Sequence, residues 1–190
     1  VIHAYGQENG LSYTLFRPFN WIGSGLDSFN TSKEGSSRVI TQFFGNIARG
    51  EQIKLVDGGA QRRSFTDVDD GTNALIRIID NKNNVACGKI YNIGNPYNDL
   101  SIKDLALAML EMAKTFPEYK DSASKVKIVE INSKDYYGEG YQDMQKRVPS
   151  IRNTKLDLDW APKISFEESL QKIFEAYKSD ILNAANELQD

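Results

Sequence analysis

Histidine and cysteine are almost missing from this sequence: His3 and Cys87 are the only ones in 190 residues. A single cysteine excludes an intrachain disulfide and a CxxC zinc site. A single histidine leaves too little for a Ser-His-Asp triad or a two-histidine metal site. No apolar run reaches the roughly 18 residues of a membrane span. No charged-then-apolar leader with a small-residue cleavage site opens the chain. A large charge of one sign is also lacking: 23 basic against 26 acidic side chains give −3. A polyanion-binding surface, and with it a nucleic-acid partner, is therefore not indicated. Chemistry here must run on Arg, Lys, Tyr, Asn and carboxylates, a set suited to holding phosphates and carboxylates.

What is present is a 40% hydrophobic chain of a length that suits one domain, or one and a fraction. It opens on Val1-Ile2-His3-Ala4-Tyr5-Gly6, which reads as the tail of an amphipathic helix closed at Gly6 or Gly10, so a piece of a longer protein is expected. Strands are expected at Leu11–Arg17, Ile53–Val56, Lys89–Gly94 and Val126–Ile131. Helices are expected at Arg38–Arg49, closed by Gly50, and at Val68–Asp80. Two capping boxes, Ser101-x-x-Asp104 and Ser165-x-x-Glu168, open two more. Residues 20–37 read as a long loop, and Tyr136–Ser150 as an irregular one. Alternating strands and helices indicate the α/β class, with a small α+β lobe in the C-terminal half and no clean linker.

Three stretches could carry chemistry. In Lys54-Leu55-Val56-Asp57-Gly58-Gly59-Ala60-Gln61-Arg62-Arg63 a strand ends in a Gly-Gly turn followed by two guanidinium groups. Glycine admits close backbone approach and Arg offers donor forks for phosphate oxygens; a solvated hairpin tip is the plainer alternative. Tyr136 to Arg147 holds three tyrosines and two glycines, fitting either a ligand-contact loop or a tyrosine-rich packing loop. Arg17-Pro18-Phe19-Asn20-Trp21 follows a strand, where ligands sit in open parallel sheets. Asn20 could hold a sugar hydroxyl or tie the following loop to the strand. His3 reads as an ordinary helix residue, Cys87 as a buried or turn-adjacent thiol, and Met109 and Met112 as core.

Together these stretches resemble the extended short-chain dehydrogenase/reductase family. The resemblance is carried by Arg17-Pro-Phe-Asn20-Trp21, Gly35-Ser-Ser-Arg38, Ile40-Thr-Gln42, Lys54 to Gly59, Arg63-x-Phe65-Thr-Asp67-x-x-Asp70-Gly71 and Tyr91-Asn92-Ile-Gly94-Asn95-Pro96. Within that family, Tyr136-Tyr-Gly-x-Gly-Tyr141-Gln-Asp143 and Arg147-x-Pro149-Ser150-Ile151-Arg152-Asn153 are similar to the UDP-glucuronate decarboxylases of bacterial lipid A modification and polymyxin resistance.

The resemblance implies NAD as cofactor, UDP-glucuronate as substrate, a cytoplasmic location and a homo-oligomer of the complete protein. Position by position, it implies that Asn20 and Tyr141 contact the UDP-sugar and that Lys54 through Arg63 wrap the nucleotide and diphosphate. Arg147 matches the arginine assigned as proton donor in decarboxylation, and Arg17-Pro18-Phe19 should line the nicotinamide side. The implied fold is the C-terminal part of an extended Rossmann fold, interleaved over residues 1–190 with a small substrate-binding lobe. Other nucleotide-sugar enzymes of the family (UDP-xylose or UDP-apiose synthases, 4-epimerases, 4,6-dehydratases) and a non-catalytic nucleotide-sugar binding module are the rival expectations. The family's GxGxxG fingerprint, Ser/Thr-Glu pair and Tyr-x-x-x-Lys motif do not occur in the sequence, and Ser24-Gly25 stands where a Pro-Arg pair is expected.

Overall fold

The computed structural model describes residues 1–26, 37–140 and 143–187, with side chains to residue 179. The chain forms two units. One comprises Val1–Ile22, Ser64–Asp99 and Arg147–Phe166, the other Gly23–Arg63, Leu100–Lys146 and Glu167–Asp190. No single linker divides them, because each is assembled from separated stretches.

In the first unit, α1 (Ile2–Asn9) ends at Gly10, whose left-handed φ of 65° lets its N–H reach Gly6 O. Gly6 itself lies under the Tyr13 ring. Strand β1 (Leu15–Pro18) runs parallel to β6 (Ile90–Ile93), with Leu15 opposite Ile90 and Pro18 opposite Ile93. The expected strand from Leu11 is thus shortened at its start. Gly88 N donates to Tyr13 O in a turn, so the ladder can begin only at Leu15 N, which donates to Lys89 O. A second parallel pair joins β2 (Trp21–Ile22) to β5 (Thr66–Asp67), placing a strand at the start of the expected long loop.

Asp67 then caps α3 (Val68–Asp80), its carboxylate accepting from Asp69 N at 2.9 Å. Ala74 of α3 packs with Tyr91, Ile93, Ile151, Leu158 and Trp160 in the core of this unit. Helix α7 (Arg152–Leu158) contributes Thr154 and Leu158 to the buried side. Buried Asp70 ties the C-terminal stretch down: its Oδ2 accepts from Lys163 N and Ile164 N, each at 2.9 Å, and its carbonyl from Trp160 Nε1 at 3.1 Å.

The second unit is built on β3 (Ile53–Val56), parallel to β8 (Ile128–Ile131). Helices α2 (Val39–Arg49), α4 (Ile102–Lys114) and α5 (Pro117–Lys125) pack against one another beside it. Gly50 closes α2 at φ 68°. Ser101 caps α4, accepting from Asp104 N at 3.0 Å. Phe44, Phe116, Tyr119 and Phe174 form an aromatic cluster with centroids 5.0–6.0 Å apart, and Tyr119 donates to Phe174 O at 2.9 Å. Phe174 lies on α8 (Phe166–Glu187), which belongs to this unit from Glu167 onward.

Strands β4 (Arg62–Ser64), β7 (Asp99–Ser101) and β9 (Lys146–Arg147) lie where the chain passes from one unit to the other. The stretch expected to be irregular therefore holds β9 and the end of α6 (Ser133–Tyr137), which Asn132 caps by accepting from Lys134 N. The three pairs β1–β6, β2–β5 and β3–β8 are all parallel, and with the helices they give the α/β class read from the sequence.

Candidate functional site

The first unit holds Arg17, Pro18, Phe19, Asn20 and Arg147. Arg17 and Pro18 end β1 as exposed residues, and Phe19 is half-buried. Beyond the strand the backbone turns at Asn20, whose φ of 39° is left-handed, a conformation asparagine tolerates better than most residues. Its neighbours fix that turn. Phe19 N donates to Ile93 O at 3.0 Å, Thr66 Oγ1 donates to Phe19 O at 2.9 Å, and Thr66 N donates to Asn20 O at 3.2 Å.

The Asn20 side chain does two things at once. Its Nδ2 donates to Ser64 O at 2.8 Å, and its Oδ1 accepts from the Arg147 guanidinium at 2.8 Å. The partners decide the amide orientation, since a carbonyl can only accept and a guanidinium can only donate. Asn20 is thus a tie between loop and strand and also the holder of an exposed arginine. The close packing of Gly94 supports the arrangement. A Cβ there would lie 2.6 Å from Pro149 Cγ and 2.8 Å from Phe19 Cβ, so only glycine lets the stretches before Asn20 and after Arg147 approach so closely.

The second unit holds Lys54 to Arg63. Burial alternates along β3, so Leu55 faces the core while Lys54 and Val56 are half-buried. Asp57 and Gly58 turn the chain with φ of 48° and 72°, and Asp57 Oδ1 accepts from Ser133 N at 2.9 Å. Gly59 is buried at φ 69°, where a Cβ would lie 3.0 Å from Lys103 N. Gln61 is buried too, Ala60 is exposed, and Arg62 N donates to Gln145 O at 2.8 Å. The side chains of Leu55 and Gln61 therefore serve packing, while the chain turns at exposed Asp57 and half-buried Gly58.

Arg63 is engaged on several sides. Its NH2 donates to both Asp143 oxygens at 2.6 Å, and its NH1 donates to Met144 O at 2.7 Å and to Arg62 O at 2.9 Å. Asp143 closes the tyrosine-rich motif of the sequence, but a separation of 80 positions leaves no local signal of its contact with Arg63. Tyr141 lies outside the described residues, as do residues 27–36. Of the other tyrosines in that stretch, Tyr136 packs edge-on against Tyr137 and accepts from Gln42 Nε2 at 3.3 Å. Tyr136 is half-buried and Tyr137 is exposed.

Outside these stretches, His3 lies on α1 and bonds Tyr13. Cys87 is exposed in a turn, so of its two sequence alternatives the turn-adjacent one holds. Hydrogen bonds with Ser12 and then Asn81 hold its thiol below the ordinary cysteine range. Among the described residues no His/Cys/Asp/Glu group could hold a metal ion, and no helix is long and apolar enough to cross a membrane. For NAD, the residues expected beside the nicotinamide lie at and just after the exposed end of β1. The chain's own residues do not fit the rest of the cofactor, because no GxGxxG loop is available to cradle its pyrophosphate.

Comparison with known proteins gives a consistent picture. Residues 1–94 match the model of the NAD dependent epimerase/dehydratase family. The crystal structure of PbgP3 protein from Burkholderia pseudomallei is 57% identical over 96% of this chain and 51% of that one, with a TM-score of 0.82. UDP-glucose 4-epimerase from Thermotoga maritima, solved with UDP-glucose, is 23% identical over 95% and 50%, with a TM-score of 0.71. dTDP-glucose 4,6-dehydratase from Bacillus anthracis, solved in complex with NAD, is 18% identical over 94% and 47%, with a TM-score of 0.68. The last two show the fold alone. The chain spans about half the length of these solved structures.

Proposed function

We propose that this chain, whose first 94 residues match the NAD dependent epimerase/dehydratase family model, is the substrate-binding portion of a UDP-glucuronate decarboxylase. In kind it resembles the C-terminal domain of the bifunctional polymyxin-resistance protein ArnA, a cytoplasmic enzyme of lipid A modification that would work as a homo-oligomer. The observation that carries the proposal is the Asn20–Arg147 hydrogen bond, which fixes one edge of an exposed guanidinium at the end of a parallel strand. Ligands of open parallel sheets bind beyond such strand ends.

NAD, if held by the complete protein, would supply the oxidation at C4 of the sugar. The resulting 4-keto sugar carries its carboxylate β to the ketone. The C5–C6 bond would then break, its electron pair moving to the C4 oxygen as an enolate while CO2 leaves, and C5 would take up a proton from water to give the 4-keto-pentose. Arg147 suits that step because a guanidinium keeps its charge at neutral pH and stabilises both the carboxylate and the growing enolate. So weak an acid is poorly matched to giving up a proton. Electrostatic stabilisation is therefore the role assigned to it here, with Asn20 orienting it. The segment Lys54–Arg63 would wrap the nucleotide and diphosphate mainly through the backbone of its Asp57-Gly58 turn, and Tyr141 would contact the sugar. Arg17, Pro18 and Phe19 would flank the nicotinamide.

The test is Arg147→Ala in the complete protein. Loss of one such stabilising donor costs about 100- to 1,000-fold in kcat. Decarboxylation is expected to fall by that factor while UDP affinity stays close to that of the parent. An Arg147→Ala protein that releases CO2 at the parent rate ends the proposal. The 190-residue chain by itself is expected to form no NADH from UDP-glucuronate, because it lacks the pyrophosphate cradle.

A further inference from the structure

We infer that Thr66 is a positioning residue for the reaction: its buried hydroxyl sets the turn at Asn20 and, through Asn20, the direction of the Arg147 guanidinium. The inference rests on the decarboxylase reading above and adds to it a residue that acts only through another. Strand β5 by itself gives no reason for a hydroxyl here. Thr66 is fully buried, and valine has nearly the same shape and an equally good fit to a strand. A hydroxyl taken out of water costs free energy unless protein groups bond it. Two do so. Thr66 Oγ1 donates to Phe19 O and accepts from Asn95 N, each at 2.9 Å. A carbonyl can only accept and an N–H can only donate, so the hydroxyl proton points to Phe19.

These bonds act on the backbone angles of Asn20. The two planar peptides that flank a residue define its φ and ψ. The plane before Asn20 carries the Phe19 carbonyl, held by Thr66 Oγ1. The plane after it carries the Asn20 carbonyl, which accepts from Thr66 N at 3.2 Å. One residue thus grips both planes around a non-glycine φ of 39°, a conformation that persists only where the surroundings impose it. The anchor behind Thr66 is fixed as well. Buried Asn95 donates from Nδ2 to Ile164 O at 3.2 Å, accepts at Oδ1 from Tyr97 N at 3.0 Å, and takes the Ser64 hydroxyl on its carbonyl. Ser64 O in turn accepts from Asn20 Nδ2 at 2.8 Å. With its backbone and Nδ2 so held, Asn20 presents Oδ1 in one direction, where it accepts from Arg147 at 2.8 Å. All of these residues belong to the first unit.

The experiment compares the complete parent protein with Thr66→Val, Thr66→Ser, Asn20→Gly and Thr66→Val/Asn20→Gly. Crystal structures give the φ of residue 20 and the Asn20–Arg147 distance, kinetics give kcat for CO2 release, and titration gives the UDP dissociation constant. Thr66→Val is expected to move Asn20 out of the left-handed region or to open its Arg147 contact beyond about 3.5 Å, where no hydrogen bond remains. Its kcat falls by about 10- to 100-fold, as misplacement of a reacting group by about 1 Å does, while UDP affinity stays within about threefold. Thr66→Ser keeps the hydroxyl and holds kcat within about threefold of the parent. Glycine tolerates a positive φ but carries no amide, so in the Asn20→Gly protein the added Thr66→Val lowers kcat by less than about threefold. A hydroxyl that only stabilised the fold would lower Tm and leave kcat at the parent value. Should Thr66→Val fail to fold, Thr66→Cys, whose thiol is a weak donor, takes its place in every measurement. The inference is overturned if the variant keeps both the left-handed φ and the Arg147 bond, or if its kcat equals that of the parent. It is also overturned if UDP affinity falls as far as kcat, or if the losses from Thr66→Val and Asn20→Gly multiply. Should the parent itself release no CO2, the decarboxylase reading fails on that result, and the crystal structures still decide for or against the role of Thr66.

Discussion

Gly94→Ala probes the packing that holds the candidate site together. The added methyl carbon would stand 2.6 Å from Pro149 Cγ, 2.8 Å from Phe19 Cβ and 3.3 Å from Phe19 Cγ. Carbon atoms rest at about 3.5–4.0 Å, so two neighbours must each retreat by about 1 Å. Pro149 Cγ can retreat only as far as a change of ring pucker allows, and Phe19 Cβ is fixed to the backbone. The backbone itself must shift, and overpacking of this kind costs about 1–3 kcal/mol. For a chain of this length that lowers Tm by about 2–12 °C. The shift also reaches the site, since Phe19 precedes Asn20 and Pro149 follows Arg147 by two positions, and the Asn20–Arg147 bond of 2.8 Å lies between them. Thermal and denaturant unfolding of parent, Gly94→Ala and Gly94→Ala/Pro149→Ala measure the effect. The double variant is expected to be more stable than the sum of the two single losses, because removing Cγ relieves the closer clash. A Gly94→Ala protein within about 0.5 kcal/mol of the parent, the range of an inert surface change, refutes the reasoning.

Two further outcomes are expected from the same unit. Asp70→Ala removes an acceptor shared by the N–H groups of Lys163 and Ile164, each bond worth about 1.5–3 kcal/mol to a charged acceptor, less what water recovers at exposed Lys163. Denaturant unfolding should show a loss of about 2–3 kcal/mol, with Asp70→Asn losing less because it keeps an acceptor oxygen; equal losses in both would contradict the assignment. Tyr91 carries a pKa pushed up to about 12, first by burial and then by its hydrogen bond to Asp157 and that group's charge. A raised pKa favours the folded state while the phenol is protonated, so this stability is complete below pH 10 and is lost as pH climbs towards 12. Tyr91→Phe should cost about 1 kcal/mol at neutral pH and flatten the decline above pH 10, read by unfolding at a series of pH values.

Much of the α/β framework was legible because its elements are punctuated locally. Asp67 before an apolar-periodic run gives both the start and the extent of α3, and Ser101-x-x-Asp104 gives the start of α4. Ile53–Val56 stands out by its alternation and by the glycines after it. The elements that escaped lack such signals. Helix α5 is polar, with only Tyr119 and Ala123 buried, and α7 is seven residues long with two buried positions. Strands β2 and β5 are two residues each and exist only through each other. The site shows the same division. Asn20 and Arg147 were identifiable as residues, yet their contact spans 127 positions and no local pattern announces it. Arg63 was identifiable as a phosphate-type guanidinium, but its partner Asp143 was hidden in a stretch that reads as a tyrosine-rich loop.

The most direct test follows the carboxylate carbon. The complete protein would be incubated with NAD and UDP-glucuronate labelled at C6, and the label traced in gas and nucleotide-sugar fractions. One labelled CO2 released per sugar consumed, with an unlabelled UDP-4-keto-pentose left behind, is the expected result. Recovery of all the label in the nucleotide sugar, as a C4 epimer or with the carboxylate otherwise intact, would contradict the decarboxylase assignment.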